Sequence, residues 1–418
     1  MGIKKMNSFL SEHKIYKKYA YISDVIKDNN IGNKDIIIGV DANLFCYKYS
    51  HSCDNMLIGF YNQILNFLSH GYIPLYIFDG GNFEEKENTL ISRNKRKNNL
   101  KLKIDMIDEC IIDSIENMDE DAFQELLQHK KRMEKNTIKI SKEDINKIVE
   151  LFDLLSIPYI FAQNEAEYLA VLLNEYDIIN LFLSDDTDPI ASGIKHLIKF
   201  NNNMVVYYNF YTCCKELNID KNQLCDMSIL FGNDYIKFKH NLKPCEIYEL
   251  IHNNYCIENI VDKIYKVGED DEGDEGDEID KVDKVDKVDK IYKVDDYSSK
   301  VIWNCNDTVI AIINKIRNIY KKSPNNEKEY IFVKNCIIDS NVLVEYWDEF
   351  VDILKDNSSN IVSNKVITFK SKIYNFIKNH KLNINNVIKF FKQNVCDITI
   401  SEIDIMISSL LTCYSSYF

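Results

Sequence analysis

The chain has 418 residues, 45% of them hydrophobic, and a formal net charge of −14. That apolar content excludes a mainly disordered chain, and the length predicts two or three domains. No apolar run reaches the roughly 18 residues of a membrane span, and the opening MGIKKMNSFL is too polar for a secretory leader. In chain order, short apolar runs of strand length stand at 35–40 (DIIIGV), 73–78 (IPLYIF), 157–162 (IPYIFA), 178–184 (IINLFLS) and 205–210 (VVYYNF). Helical spacing joins Met56, Phe60, Ile64 and Phe67, and again Ile145, Ile148, Leu151 and Leu155. Ser141 and Asp144 have the spacing of a capping box that starts the second helix. Apolar strands alternating with helices predict an α/β fold, a parallel sheet covered on both faces. Ligands of such sheets bind beyond the carboxyl ends of the strands.

Residues 269–296 carry 14 acidic and 5 basic side chains, an acidic run leading into a K-V-D repeat. Such a stretch buries little apolar area and reads as a solvated linker, about 261–300, between an N-terminal region 1–260 and a separate C-terminal region 301–418. The last region is rich in Ile and Asn, is expected to be mostly helical and holds no chemical motif. Residues 1–250 carry 37 acidic and 29 basic side chains, a net of −8. Seven of those acids are candidate metal ligands, and without them the net stands near −1, so global charge does not exclude a nucleic-acid partner. Twelve cysteines with no C-x-x-C pair read as reduced thiols in a cytosolic compartment. Met6 stands where a myristoylation signal needs Ser or Thr.

The apolar runs keep ending in acids. DIIIGV leads into Asp41, IPLYIF into Asp79, and LFLS into Asp185, Asp186 and Asp188. Glu165 and Glu167 follow IPYIFA, and the helix-like MSILFGN (227–233) leads into Asp234. Asp186 and Asp188 are two apart, a spacing that points both side chains the same way at an extended strand end. One Asp after a strand is commonly a turn residue or a helix cap. Five segments aiming carboxylates at one sheet edge are a different matter, because such a cluster does not stay ionised without cations. Oxygen-only sites suit Mg²⁺ or Mn²⁺, and paired metals of this kind serve phosphodiester cleavage. Aspartyl-phosphate chemistry needs only one D-x-D site and leaves the Glu pair unexplained.

MGIK, GVDANLFCY, YIFDGG, IPYIFAQNEAEYLA, LSDDTDPIASG and ILFGNDY follow one another across residues 1–251. In this order and spacing the chain resembles the flap endonuclease/XPG group of structure-specific 5′ nucleases, and within it poxvirus-type members. The resemblance implies a PIN-like (Rossmann-like) sheet with a helical cap insertion at about 84–140 and a helix–hairpin–helix-like element at about 227–251. It implies metal ligation by Asp41, Asp79, Glu165, Glu167, Asp186, Asp188 and Asp234, with Asp185 outside the principal set. It implies catalytic roles for Lys86 and Arg93, and base stacking by Tyr47. Candidate DNA contacts are Gly2, the basic clusters Arg96 and Lys97 and Lys130, Lys131 and Arg132, and Lys237, Lys239 and Lys243 as direct phosphate contacts. Lys86 and Arg93 are seven apart and share one helical face, where positive charge can neutralise a scissile phosphate. A solvated basic helix is the plain alternative for Arg96, Lys97 and Lys101.

Two stretches depart from the family. Residues 104–128 hold nine acids and no Lys or Arg, a charge pattern that cannot track a phosphate backbone and argues against threading a flap through a closed arch. In KHNLKPCEIYEL (239–250), Pro244 fits the hairpin turn, but Asn241 and Lys243 stand where the family has glycines, and Lys tolerates positive φ poorly. The expected function is a nuclease using two Mg²⁺ ions, with Mn²⁺ the alternative, that hydrolyses branched or nicked DNA (5′ flap, gap, junction). The resemblance implies roles in viral replication, recombination and double-strand-break repair beside other viral replication proteins. The poxvirus-type match implies host cytoplasm; otherwise the protein is expected to be intracellular. The alternatives are a 5′–3′ exonuclease on DNA or RNA ends and a non-catalytic junction-binding scaffold. The Phe390–Phe391 pair lacks the upstream Gln of a sliding-clamp box, with Ile384 there instead.

Overall fold

The computed structural model describes residues 3, 5–32, 36–53, 55–80, 87–116, 120–162, 165–232, 242–253, 257, 337–340, 370–371, 373–377, 382–396 and 398–417. The strands are β1 (Lys17–Tyr19), β2 (Ile36–Asp41), β3 (Tyr72–Phe78), β4 (Tyr159–Ala162), β5 (Leu181–Leu183), β6 (His196–Asn201), β7 (Met204–Asn209) and β8 (Ile337–Ser340). They form one sheet in the order β1-β7-β6-β5-β2-β3-β4-β8. The five central strands, β6, β5, β2, β3 and β4, pair in parallel, and the outer pairings β1–β7, β7–β6 and β4–β8 are antiparallel. The five predicted apolar runs are β2, β3, β4, β5 and β7. The chain winds from β2 to β3 to β4, then crosses back to lay β5 on the other side of β2. The β2/β5 seam is therefore the topological switch point, the place where an open α/β sheet leaves a crevice.

Alternation along the strands explains the two cores. Ile38 and Val40 of β2 join Tyr76, Phe78, Leu181 and Leu183 on one face, whereas Ile37 joins Ile73, Leu75, Ile77 and Ile160 on the other. The first face is covered by α3 (Ala42–Ser52), α4 (Met56–Ser69) and α7 (Lys142–Leu154). The second is covered by α1 (Met6–Glu12), α8 (Ala166–Glu175), α11 (Lys221–Phe231) and α12 (Pro244–His252). α7 starts as its sequence predicts: the Ser141 hydroxyl accepts from the Asp144 amide, and the Asp144 carboxylate accepts from the Ser141 amide.

The C-terminal helices α13 (Ile384–Asn394) and α14 (Ile400–Tyr417) pack into the first face through Val387, Phe390, Phe391, Ile403, Ile407 and Leu410. Tyr61 donates its hydroxyl to the Met406 carbonyl, and Tyr414 donates to the Leu155 carbonyl. The Phe390–Phe391 pair is buried core rather than a surface motif. The acidic linker, residues 261–300, lies outside the described residues.

Between β3 and α7 rise α5 (Glu87–Glu116) and α6 (Glu120–Thr137), which pack against each other. The described part of the acidic stretch 104–128 lies on these two helices. Lys130 of α6 turns back onto it and pairs with Asp108 at 2.5 Å. Lys97 ties α5 to the base of the hairpin by donating to the Ile138 carbonyl at 2.8 Å.

Candidate metal and nucleic-acid site

The carboxyl ends of the central strands carry the acids. Asp41 is the last residue of β2 and caps α3, its carboxylate accepting from the Leu44 amide at 3.0 Å. Ser184, fully buried just past β5, donates its hydroxyl to the other Asp41 oxygen at 3.0 Å and accepts from the Asp186 amide at 3.2 Å. Asp79 follows β3 and accepts from the Ala166 amide (2.8 Å) and from the Asn43 side-chain amide (2.9 Å). Glu165 is the N-cap of α8, and Glu167 lies in its first turn. Asp188 opens α9 (Asp188–Ser192), behind Thr187 and ahead of Pro189, and accepts from the Ile3 amide at 2.5 Å. Proline fits there because its missing N–H is an orphan donor anyway.

These six acids share one electrostatic neighbourhood. Burial, then the negative charge of Asp79 and of Asp186, pushes Asp41 up to about 8 against the pull of its Leu44 and Ser184 hydrogen bonds. Glu167 is raised well above the ordinary carboxylate range by burial, then by Asp188, Asp186, Glu165 and Asp41. Among the described residues, no three His, Cys, Asp or Glu side chains stand close enough together to hold a metal ion. Asp41 and Asp79 each accept hydrogen bonds at both oxygens, and Asp188 at one. The donor chemistry nevertheless fits a hard divalent cation. It is all oxygen, it is mutually repulsive, and its repulsion is what a bound cation relieves.

The other predicted residues fall into three groups. Tyr47 is on α3 and 38% exposed, with the Lys97 ammonium 5.7 Å above its ring. Arg96, Lys131, Arg132 and Lys243 are exposed, whereas Lys130 is engaged with Asp108 and Glu134. Lys243 is extended (φ −77°) ahead of Pro244, so no positive φ is asked of it, and its amide donates to Glu246 at 2.6 Å. Gly2, Lys86, Asp234, Lys237, Lys239 and Asn241 lie outside the described residues, as does the side chain of Arg93.

Four supporting residues went unread in the sequence. Ser184 bridges Asp41 and Asp186, and Asn43 holds Asp79. Lys48 pairs with the Asp185 carboxylate at 2.8 Å, and Lys199 donates to the Asp185 carbonyl at 2.8 Å. Lys199 is buried, and that burial pulls it down to about 8 although Asp186, Asp185, Asp188 and Glu167 favour its charge. Its signal was one lysine inside the apolar run LIKF.

The family description XPG I-region matches residues 156–234, the stretch that carries Glu165, Glu167, Asp186, Asp188 and Asp234. A curated relative, the probable RAD2-like endonuclease 369L of Invertebrate iridescent virus 6, is 26% identical over 310 residues, covering 62% of this chain and 73% of that protein. Flap endonuclease 1 of Entamoeba histolytica is 25% identical over 295 residues, covering 65% of this chain and 73% of that protein. Among solved structures, the catalytic core of Rad2 in complex with DNA substrate superposes with a TM-score of 0.52 at 15% identity, covering 98% of this chain and 100% of that one. That likeness bears on the fold. The XPG I-region match and these two relatives make the chain similar to flap endonuclease/XPG-like nucleases.

Proposed function

We propose that the protein is a divalent-metal-dependent, structure-specific DNA nuclease that hydrolyses a phosphodiester near a single-strand/double-strand junction. The observation that carries this reading is the acidic edge at the β2/β5 switch point, where burial and mutual repulsion hold Asp41 and Glu167 above the usual carboxylate range. The names of the relatives, a RAD2-like endonuclease and a flap endonuclease, support the same reaction class. Asp41, Asp79, Glu165, Glu167, Asp186 and Asp188, with Asp234, would hold Mg²⁺ or Mn²⁺. Bound there, such ions supply an activated water and neutralise charge on the leaving oxygen.

The chain's own residues do the rest. Ser184 keeps Asp41 and the turn bearing Asp186 in register. Asn43 and the Ala166 amide fix the Asp79 carboxylate. Lys86 and Arg93 supply positive charge over the scissile phosphate, and Tyr47 offers a ring to the adjacent base. Exposed Arg96, Lys131, Arg132 and Lys243 add sequence-independent phosphate contacts. The iridescent virus relative supports a role in viral DNA metabolism.

The test is purified full-length protein with end-labelled 5′-flap, nicked, gapped, Y-form and blunt DNA, with Mg²⁺ and with EDTA. Mg²⁺-dependent incision at the junction is expected. Cleavage persisting in EDTA contradicts the metal reading, and binding without incision in Mg²⁺ or Mn²⁺ favours a scaffold.

A further inference from the structure

Beside the acidic edge lies a cavity of about 290 Å³ between α1 and the outer strands β1, β7 and β6. Its floor is a cross-strand row. Lys18 of β1 and Lys199 of β6 both register with Val206 of β7, so the three side chains share one face of the sheet. Two positions along on that face, Tyr16 and Tyr208 pack with ring centroids 6.2 Å apart. Each lysine lies over one of these rings, Lys18 at 5.4 Å from Tyr16 and Lys199 at 5.4 Å from Tyr208. Asn7 and Ser11 of α1 close the opposite wall, and Asn7 accepts from the Tyr208 hydroxyl at 3.2 Å.

Lys199 is the anomaly. An ammonium carries three donors, and one that is 8% exposed is costly to bury unless they are used. Among the described residues it makes one hydrogen bond, to the Asp185 carbonyl. The remaining donors belong to a buried cation that lines the cavity. Asp185, the acid on the same wall, has its own carboxylate paired with Lys48. The lining therefore keeps the charge of Lys18 and Lys199, with hydroxyl and amide groups around them. That is the chemistry of a phosphate site: cations, neutral donors and a volume near the lower end for small-ligand pockets. Its lining also includes Asp185, one residue before Asp186 on the edge where phosphodiester chemistry is proposed.

We propose that this cavity is a phosphate subsite of the nuclease, in which Lys199 and Lys18 hold a backbone phosphate of the substrate strand beside the cleavage edge. The assignment rests on the nuclease reading for its physiological ligand but not for its test. The ammonium of Lys199 supplies the buried contact and that of Lys18 the entrance contact. Lys17, on the other sheet face and paired with Asp28 at 3.1 Å, takes no part.

The experiment is calorimetry of inorganic phosphate with the full chain in EDTA, alongside binding of a 5′-flap DNA in Ca²⁺. Wild type is expected to bind phosphate with a Kd of about 1 mM, weakened roughly tenfold or more by Lys199→Met and about threefold to tenfold by Lys18→Ala. Lys17→Ala is expected to leave phosphate binding unchanged. Flap affinity should fall in the same order. Phosphate binding that survives Lys199→Met, or Lys18→Ala where the first variant does not fold, overturns the site. Weakened phosphate binding with unchanged flap affinity overturns its assignment to the substrate strand. Failure of the nuclease reading looks different: no DNA is cut by the wild type, while phosphate still binds and Lys199→Met still weakens it.

Discussion

Ser184 and Asp41 are 143 residues apart in sequence and joined by a 3.0 Å hydrogen bond across the seam between β5 and β2. The same hydroxyl accepts from the Asp186 amide, so one buried atom sets the spacing of two candidate ligands from different strands. Replacing Ser184 with Ala removes one donor from Asp41 and one acceptor from the Asp186 amide. Residues that orient metal ligands typically cost about 10–100-fold in affinity or activity. Ser184→Ala is expected to lower single-turnover flap cleavage by about that factor and to raise the Mg²⁺ half-saturation, at a stability cost of about 1–2 kcal/mol. Paired cleavage titrations and urea unfolding check this; an unchanged Mg²⁺ requirement removes Ser184 from the site.

The parts legible in sequence were those whose signal is local. Near-continuous apolar runs marked β2, β3, β4, β5 and β7, and the S-x-x-D box marked α7. The acids were visible because each follows its run directly. β1 (KKY) and β6 (HLIKFN) escaped because lysine breaks their apolar character; β1 becomes a strand by pairing with β7, and β6 by pairing with both β5 and β7. The packing of α13 and α14 onto α4 and α7 was illegible for a related reason. Phe390 and Phe391 read as apolar residues, but nothing local says which face they cover. Ser184, Asn43, Lys48 and Lys199 act through partners 14 to 143 residues away, a relation that spacing alone does not carry.

Asp41 exchanges stability for chemistry. Its carboxyl stays protonated to about pH 8 in the metal-free fold, whereas an unfolded Asp ionises near 4. The folded state therefore binds the extra proton between those values, and the metal-free protein loses stability as pH rises from about 4 to about 8. Asp41→Asn removes the charge and keeps one of the two acceptor oxygens, enough for the Leu44 amide, while its NH2 group faces the Ser184 hydroxyl. It is expected to raise the thermal midpoint of metal-free protein at pH 8, with little change at pH 5, and to abolish Mg²⁺-dependent cleavage. A lower midpoint at pH 8 contradicts the picture of a repulsive acidic edge.

Gly59 sits where α4 crosses α3. A Cβ built there meets the Tyr49 ring at 2.4 Å and the Tyr49 Cβ at 2.8 Å, and Phe60 packs on the same ring at 5.1 Å between centroids. Alanine in a helix gains about 1 kcal/mol over glycine, but overpacking a rigid contact costs about 1–3 kcal/mol. Gly59→Ala is thus expected to be net destabilising. It should also weaken cleavage, because α3 carries Tyr47 and begins at Asp41. Chemical denaturation and single-turnover rates check both; a stabilised, fully active variant shows that α3 yields freely.

His196 makes a pH dependence that is separable from the acids. Burial, then the neighbouring Lys195 charge, pulls it down to about 4, with Asp177 opposing, and its ring Nδ1 lies 2.7 Å from the Tyr207 hydroxyl. An unfolded His takes its proton near 6.5, so the unfolded state binds more protons between about 6.5 and about 4. Stability is therefore lost as pH falls through that window, by about 2 kcal/mol at pH 5 relative to neutral pH. His196→Gln removes the titrating ring and keeps a polar group for Tyr207. Whatever it does to absolute stability, the difference in unfolding free energy between pH 7.5 and pH 5 should shrink by about 2 kcal/mol. Urea melts of both proteins at the two pH values measure that difference directly, and an equal acid loss in the variant would assign the effect to other groups.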